Sequence, residues 1–178
     1  MRDWRGVRWL VLGVALVAGP AQSRVLAGVR LPEAIQLQGQ ELVLEHMALK
    51  EMLFFDLYVW GLYLEGTPRS AREAIESNGP KQLQLHFRRD IGRDQLADAF
   101  RDFLRHSPVM RSPELRRSAE QLVRSLRSVR KGGSLLITYL PGEGLLVSGD
   151  ASRGALIPGK DFADALFGAW LRENPIYD

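Results

Sequence analysis

From Met52 to Leu64 the chain reads M-L-F-F-D-L-Y-V-W-G-L-Y-L, with Asp56 its one charge. The run is shorter than the roughly 20 apolar residues a membrane-spanning helix needs. Its aromatic and β-branched residues favour a strand, and Gly61 would weaken a helix. Read as a strand, Leu53, Phe55, Leu57, Val59 and Tyr63 share one face. Met52, Phe54, Asp56, Tyr58, Trp60, Leu62 and Leu64 share the other. Both faces are apolar, so both need cover. The pattern predicts one long central strand over 52–64, with helices on one side and a different layer on the other.

Alternation predicts short strands at Ala34–Gln38 and Glu41–Glu45, turned by Gly39-Gln40. Lys81–Phe87 alternates cleanly, with Leu83, Leu85 and Phe87 inward and Gln82, Gln84 and His86 outward. Ser134–Leu140 and Leu145–Ser148 flank a hairpin at Pro141–Gly144, and Ala155–Ile157 reads as extended. Helical spacing covers Ser70–Ser77, with Ser70 as N-cap and Glu73 three residues on. It also covers Arg93–His106, with Leu96, Ala99, Phe100, Phe103 and Leu104 on one stripe. A longer helix is predicted over Pro113–Arg130, with Ser112 as N-cap and Leu115, Ala119, Leu122, Leu126 and Val129 inward. A last helix runs over Asp161–Arg172. Strands grouped by hairpins, with helices in a block, predict an α+β fold.

The N-terminus changes the domain picture. Arg2, Arg5 and Arg8 precede an apolar run, Trp9–Ala18, and small residues follow at Ala21 and Ser23. This is the pattern of a secretory signal peptide. The expectation is a signal peptide over 1–23, one domain over 24–178, and an exported, periplasmic protein with no stable membrane span after cleavage. The leader supplies +2 of the formal net charge of +3, so the remaining chain is nearly neutral and gives no argument for nucleic acid. The chain has no cysteine, which excludes disulfides and thiolate chemistry.

Candidate chemistry is sparse. Gly154–Asp161 imitates a phosphate loop but has Asp161 where a magnesium-holding hydroxyl is required. His46, His86 and His106 have no metal spacing. The arginines of the longer helix read as a solvated face. Alternation beyond Phe87 would turn Arg89 inward, with Asp90 or Asp56 as candidate partners.

Four segments in order carry a resemblance: F-x-x-x-Y-V-x-G-L-Y-L (54–64), L-x-F-x-R-D-I (85–91), the P-G-x-G hairpin, and I-P-G-x-x-F-A-x-A-L-x-x-x-W-L (157–171). Over about residues 36–175 the chain resembles the bacterial chalcone isomerase-like proteins. The resemblance implies an open-faced β-sandwich, a large, mostly antiparallel sheet covered by helices, with a ligand cleft between the layers. The family includes intramolecular lyases (isomerases) that close a flavanone ring with an arginine, a threonine, a tyrosine and an asparagine. Carried onto this sequence, the threonine slot falls at Tyr58 and the arginine slot at His46 or Lys50. The tyrosine and asparagine slots fall at Leu115 and Leu122. Leucine cannot donate or accept a hydrogen bond, so a non-catalytic domain is expected, without a cofactor; members of the family that lack the full enzyme set resemble fatty-acid binders, and that resemblance implies a small apolar or carboxylate, fatty-acid-like ligand. Lys50 or His46 with Tyr58 would hold the polar end. Phe54, Trp60, Leu115 and Leu122 would complete the wall. Two other readings stay open: an isomerase with a rearranged polar set, and a structural or partner-binding protein with a filled core. A cavity above roughly 300 Å³ separates the first two from the third.

Overall fold

The computed structural model describes residues 22–52 and 55–177. The predicted leader up to residue 21, and Phe54, lie outside them. The chain forms a hairpin of β1 (Ser23–Leu26) and β2 (Val29–Pro32), then β3 (Ala34–Leu37), β4 (Gln40–Met52) and β5 (Phe55–Leu64). Next come α1 (Ala71–Glu76), β6 (Lys81–Phe87), α2 (Arg93–Arg105), a 3-10 turn at Pro108–Arg111 and α3 (Pro113–Ser125). β7 (Ser134–Leu140), β8 (Gly144–Ser148), β9 (Ala155–Pro158) and α4 (Lys160–Glu173) complete it. Strands β3 to β9 make one seven-stranded sheet in which each strand pairs antiparallel with the next.

β5 lies inside this sheet and is covered on both faces. On the helix face, Trp60, Leu62 and Leu64 join Leu83, Leu85 and Phe87 of β6, Ile137 of β7, and Phe100, Leu122, Phe162 and Trp170 from the helices. On the hairpin face, Tyr63 packs with Leu31, Leu42 and Leu44. Gly61 is what lets the hairpin press so closely: a Cβ there would fall 2.5 Å from Leu31 Cδ1 and 3.1 Å from Leu44 Cδ1. The α+β class and two-sided cover match the sequence expectation.

The local signals for helix starts hold. Ser70 Oγ accepts from Glu73 N at 3.2 Å and Ser112 Oγ from Leu115 N at 3.4 Å. The C-terminal end of α1 is closed by a tertiary contact. Lys81, 1% exposed, donates from Nζ to the carbonyls of Ala74 (2.9 Å), Ile75 (2.7 Å) and Ser77 (3.0 Å). These are carbonyls a helix end leaves without intrahelical partners.

Four expectations need correction. The apolar run is not one strand: Met52 ends β4 and pairs with Phe55 of β5, so the chain reverses inside the run. The expected short strand at Glu41–Glu45 is the first part of the longer β4. No glycine or proline marks the reversal, so the composition gave no turn signal. Second, the helix expected to reach Arg130 stops at Ser125, because extended pairing outcompetes it. Leu126 bridges Ser152, Val129 bridges Ile91, and Arg127 N donates to Ala151 O at 2.8 Å. Third, the strand alternation ends with Phe87. Arg89 is exposed, and Arg88 is the residue whose Nε lies 4.0 Å from Asp56 Oδ2, while Asp90 Oδ1 accepts from Lys131 N at 2.8 Å. Fourth, Gln82 is buried on the hairpin face and Gln84 and His86 are half-buried there. They form a ladder in which Gln82 Nε2 donates to Thr138 Oγ1 (2.7 Å) and Gln84 Nε2 to Gln82 Oε1 (2.6 Å). His86 Nε2 continues it to Gln84 Oε1 at 3.2 Å.

Candidate functional site

A cleft of about 370 Å³ opens on the helix face between the sheet and helices α2 and α4. Its sheet wall is Leu57 and Tyr58 of β5 with Leu85 and Phe87 of β6. Its helix wall is Leu96, Ala99, Phe100 and Phe103 of α2 with Trp170 of α4. Lys50, Asp102, Glu173 and Asn174 supply the charged and polar lining.

Register explains why Lys50 is there. Leu42 and Leu44 belong to the hairpin-side cluster, so unbroken alternation along β4 would put His46, Ala48 and Lys50 beside them. Leu44 pairs with Tyr63 but His46 pairs with Leu62, which leaves Glu45 as an extra residue. This β-bulge moves every following side chain to the opposite face. Lys50 therefore pairs directly with Tyr58 on the cleft side. Directly opposed residues of antiparallel strands have Cβ atoms about 5 Å apart, so the two side chains leave the sheet side by side into the cleft. A second irregularity between Lys50 and Glu51 leaves Leu57 as the extra residue on β5, and both Leu57 and Tyr58 line the cleft.

Aromatic rings form much of the wall. Tyr58 lies edge-on to Phe87 (6.0 Å between centroids) and tilted against Trp170 (6.3 Å). Trp170 also meets Phe103 at 5.7 Å and Trp60 at 5.5 Å, both edge-on. Its Nε1 is buried and has no hydrogen-bond partner among the described residues. Burial, and secondarily the charge of Glu173, pushes the Tyr58 hydroxyl up to about 12. At neutral pH it is a hydrogen-bond donor and not a base. Asp102 is held by an ion pair to Arg105, and Asn174 Nδ2 caps α4 by donating to Trp170 O at 3.0 Å.

The residues expected to form the site divide. Lys50 and Tyr58 line the cleft. Trp60 lies behind its wall, 3% exposed and in contact with Trp170. His46 stacks on Trp60 with centroids 5.1 Å apart, and burial, followed by the charge of Arg24, lowers its pKa; it is not part of the lining. Leu122 is fully buried in the core and Leu115 packs half-buried against it, so neither reaches the cleft. Phe54 lies outside the described residues. The sequence reading placed the α2 stripe inward without assigning Leu96, Phe100 and Phe103 to a cleft. It missed Trp170, Glu173 and Asn174, for which the aromatic ring in a helix stripe was the available signal.

The arrangement suits a largely apolar molecule with a polar group that meets an ammonium or a phenol. Among the described residues, no group of histidine, aspartate and glutamate could hold a metal ion.

A family model described as chalcone isomerase-like matches residues 23–178. No curated protein matches the sequence. Among solved structures the fold is similar to that of a fatty-acid binding protein from Arabidopsis thaliana. The TM-score is 0.58 at 14% identity, over 88% of this chain and 90% of that one.

Proposed function

Since the chain belongs to the chalcone isomerase-like family, we propose that it acts by holding one small, elongated, largely apolar molecule in the cleft between sheet and helices, without chemical turnover. The observation that carries this reading is the aromatic cleft of about 370 Å³ with Lys50 and Tyr58 paired across adjacent strands at one place in its lining. A fatty-acid-like carboxylate accepts from both. A charge-assisted hydrogen bond contributes about 1.5–3 kcal/mol, and apolar burial at about 25 cal/mol per Å² supplies the rest. The similarity to a protein described as fatty-acid binding supports the choice of ligand class. Asp102 and Glu173 in the same lining favour a single carboxylate over a multiply charged anion.

The test is mass spectrometry of small molecules that co-purify with the protein, followed by calorimetric titration with a long-chain fatty acid and its methyl ester. A recovered apolar molecule, and tighter binding of the acid than of the ester, is the expected result. Equal affinity for both would remove Lys50 from the polar site, and no binding of either would end the proposal. A protein acting in this way outside the cytoplasm would lose residues 1–23; sequencing of the exported chain is expected to begin at Arg24.

An isomerase is the second reading, favoured by Tyr58 and Asn174 lining the same cleft. Turnover of a phenol-bearing enone, abolished in Tyr58→Phe, would select it.

A further inference from the structure

Across Phe87 from the cleft, a second cavity of about 240 Å³ lies between the β1–β2 hairpin and the loop that leads into β7. Its lining includes Arg30, His86, Arg88 and Lys131, with Gly28 and Gly132. The arginines and the lysine come from three separate segments: β2, the bend after β6, and the loop before β7. We propose that this cavity binds a small oxyanion, a phosphate group or its close chemical equivalent.

Three features build the site. The Nε of Arg88 is buried and has no hydrogen-bond partner among the described residues, so it is a charged donor with an unmet need for an acceptor. Asp56 Oδ2, at 4.0 Å, is too far to meet it. Gly28 makes room for the guanidinium: it holds φ +77°, and a Cβ there would lie 3.3 Å from Arg88 Nη1. Asp90 Oδ1 accepts from Lys131 N at 2.8 Å and so fixes the loop that carries Lys131. Asp56 and Asp90 stand beside this cavity without entering its lining, against three cations that line it, and that imbalance separates it from the cleft, where Lys50 shares the lining with two acids. Guanidinium and ammonium groups converging from separate elements form short, charge-assisted hydrogen bonds to phosphate oxygens.

The oxyanion can be free phosphate or the phosphomonoester headgroup of a lipid, and the experiment distinguishes them. The purified protein is titrated with inorganic phosphate in chloride buffer of matched ionic strength. Saturable one-site binding is expected, weakened by about tenfold or more in the R30A/K131A double variant, whose side chains are both exposed. Arg88→Lys keeps the charge and loses the planar fork; it is expected to weaken binding while circular dichroism reports an unchanged fold. The variant R101A/R124A, on the α2 and α3 helices, is expected to bind as the parent does. Sedimentation with phosphatidic acid vesicles, competed by phosphate and lost in R30A/K131A, would assign the site to a headgroup. Phosphate binding without sedimentation would assign it to the free ion. Absence of saturable binding, or equal binding by parent and R30A/K131A, overturns the proposal. An equal loss in R101A/R124A overturns it too, because the ion would then be held by net charge or by the arginine-lined groove between α2 and α3.

Discussion

Tyr58 and Tyr63 stand on the same strand and face opposite layers of the molecule. Burial pushes both hydroxyls up to about 12, with Glu173 as the secondary cause for one and Glu33 for the other. Their surroundings differ. Tyr63 is fully buried under the β1–β2 hairpin, and its hydroxyl donates to Pro32 O at 2.8 Å. Tyr58 lines the cleft and donates to no acceptor among the described residues. The hairpin brings a backbone carbonyl onto the sheet and completes that face. The helices approach with rounded apolar stripes that do not fill the space over β4, β5 and β6 beside Tyr58, and they leave a cleft. The same residue type is structural on one face and available on the other because the two covering layers differ in shape.

Breaking the core behind the cleft gives the largest expected effect. Leu62 is fully buried on the helix face, so Leu62→Ala should lower unfolding free energy by about 2–5 kcal/mol, measured by urea denaturation. A change below 1 kcal/mol would show that the helix layer is not packed on β5. Its neighbour tests the other face. Gly61→Ala drives a Cβ toward Leu31 and Leu44 and should cost about 1–3 kcal/mol. Fatty-acid affinity is expected to stay unchanged, and a parallel loss of affinity would mean the two faces are coupled.

The tyrosines sharpen the contrast. Tyr63→Phe strands the Pro32 carbonyl and should destabilise by about 1 kcal/mol without changing affinity. Tyr58→Phe should do the reverse: little change in stability, and ligand binding weaker by about tenfold. Identical stability losses in the two variants would collapse the comparison.

The last test concerns pH. Desolvation lowers Lys81 from the usual 10.5 to about 8, Asp164 opposing and Lys160 adding to the shift. A lysine whose pKa falls on folding makes the unfolded chain bind more protons between those two values. Its unfavourable contribution is therefore full below pH 8 and is relieved as pH rises toward 10.5. Denaturation of the parent and of Lys81→Met across that range should show the parent gaining on the variant. The opposite trend would mean that the three carbonyl acceptors outweigh burial.

Much of the fold was legible residue by residue. Ser70 and Ser112 announced helix starts because a cap is a contact between near neighbours. Lys81–Phe87 announced a strand because period two is a property of the strand itself. The pairing of Lys50 with Tyr58 emerged only from the family resemblance, and the resemblance left His46 equally eligible. Leu115 and Leu122 were expected in the wall because the resemblance put two of the family's site positions there, while their helix stripe says which side is buried without saying against what. Trp170 went unassigned for the same reason.

The sequence by itself determined that the stretch from Phe55 to Leu64 is extended and apolar on both sides, that the class is α+β, and that no cysteine chemistry is available. Those are consequences of side-chain type and of periods spanning a few positions. The tertiary structure alone decided where the apolar run reverses, where α3 gives way to extended pairing with Ile91 and Ser152, and on which face Lys50 emerges. Each depends on register between segments far apart in the chain. A single unpaired residue at Glu45, which leaves no mark in composition, turns an ammonium from the hairpin side to the cleft side.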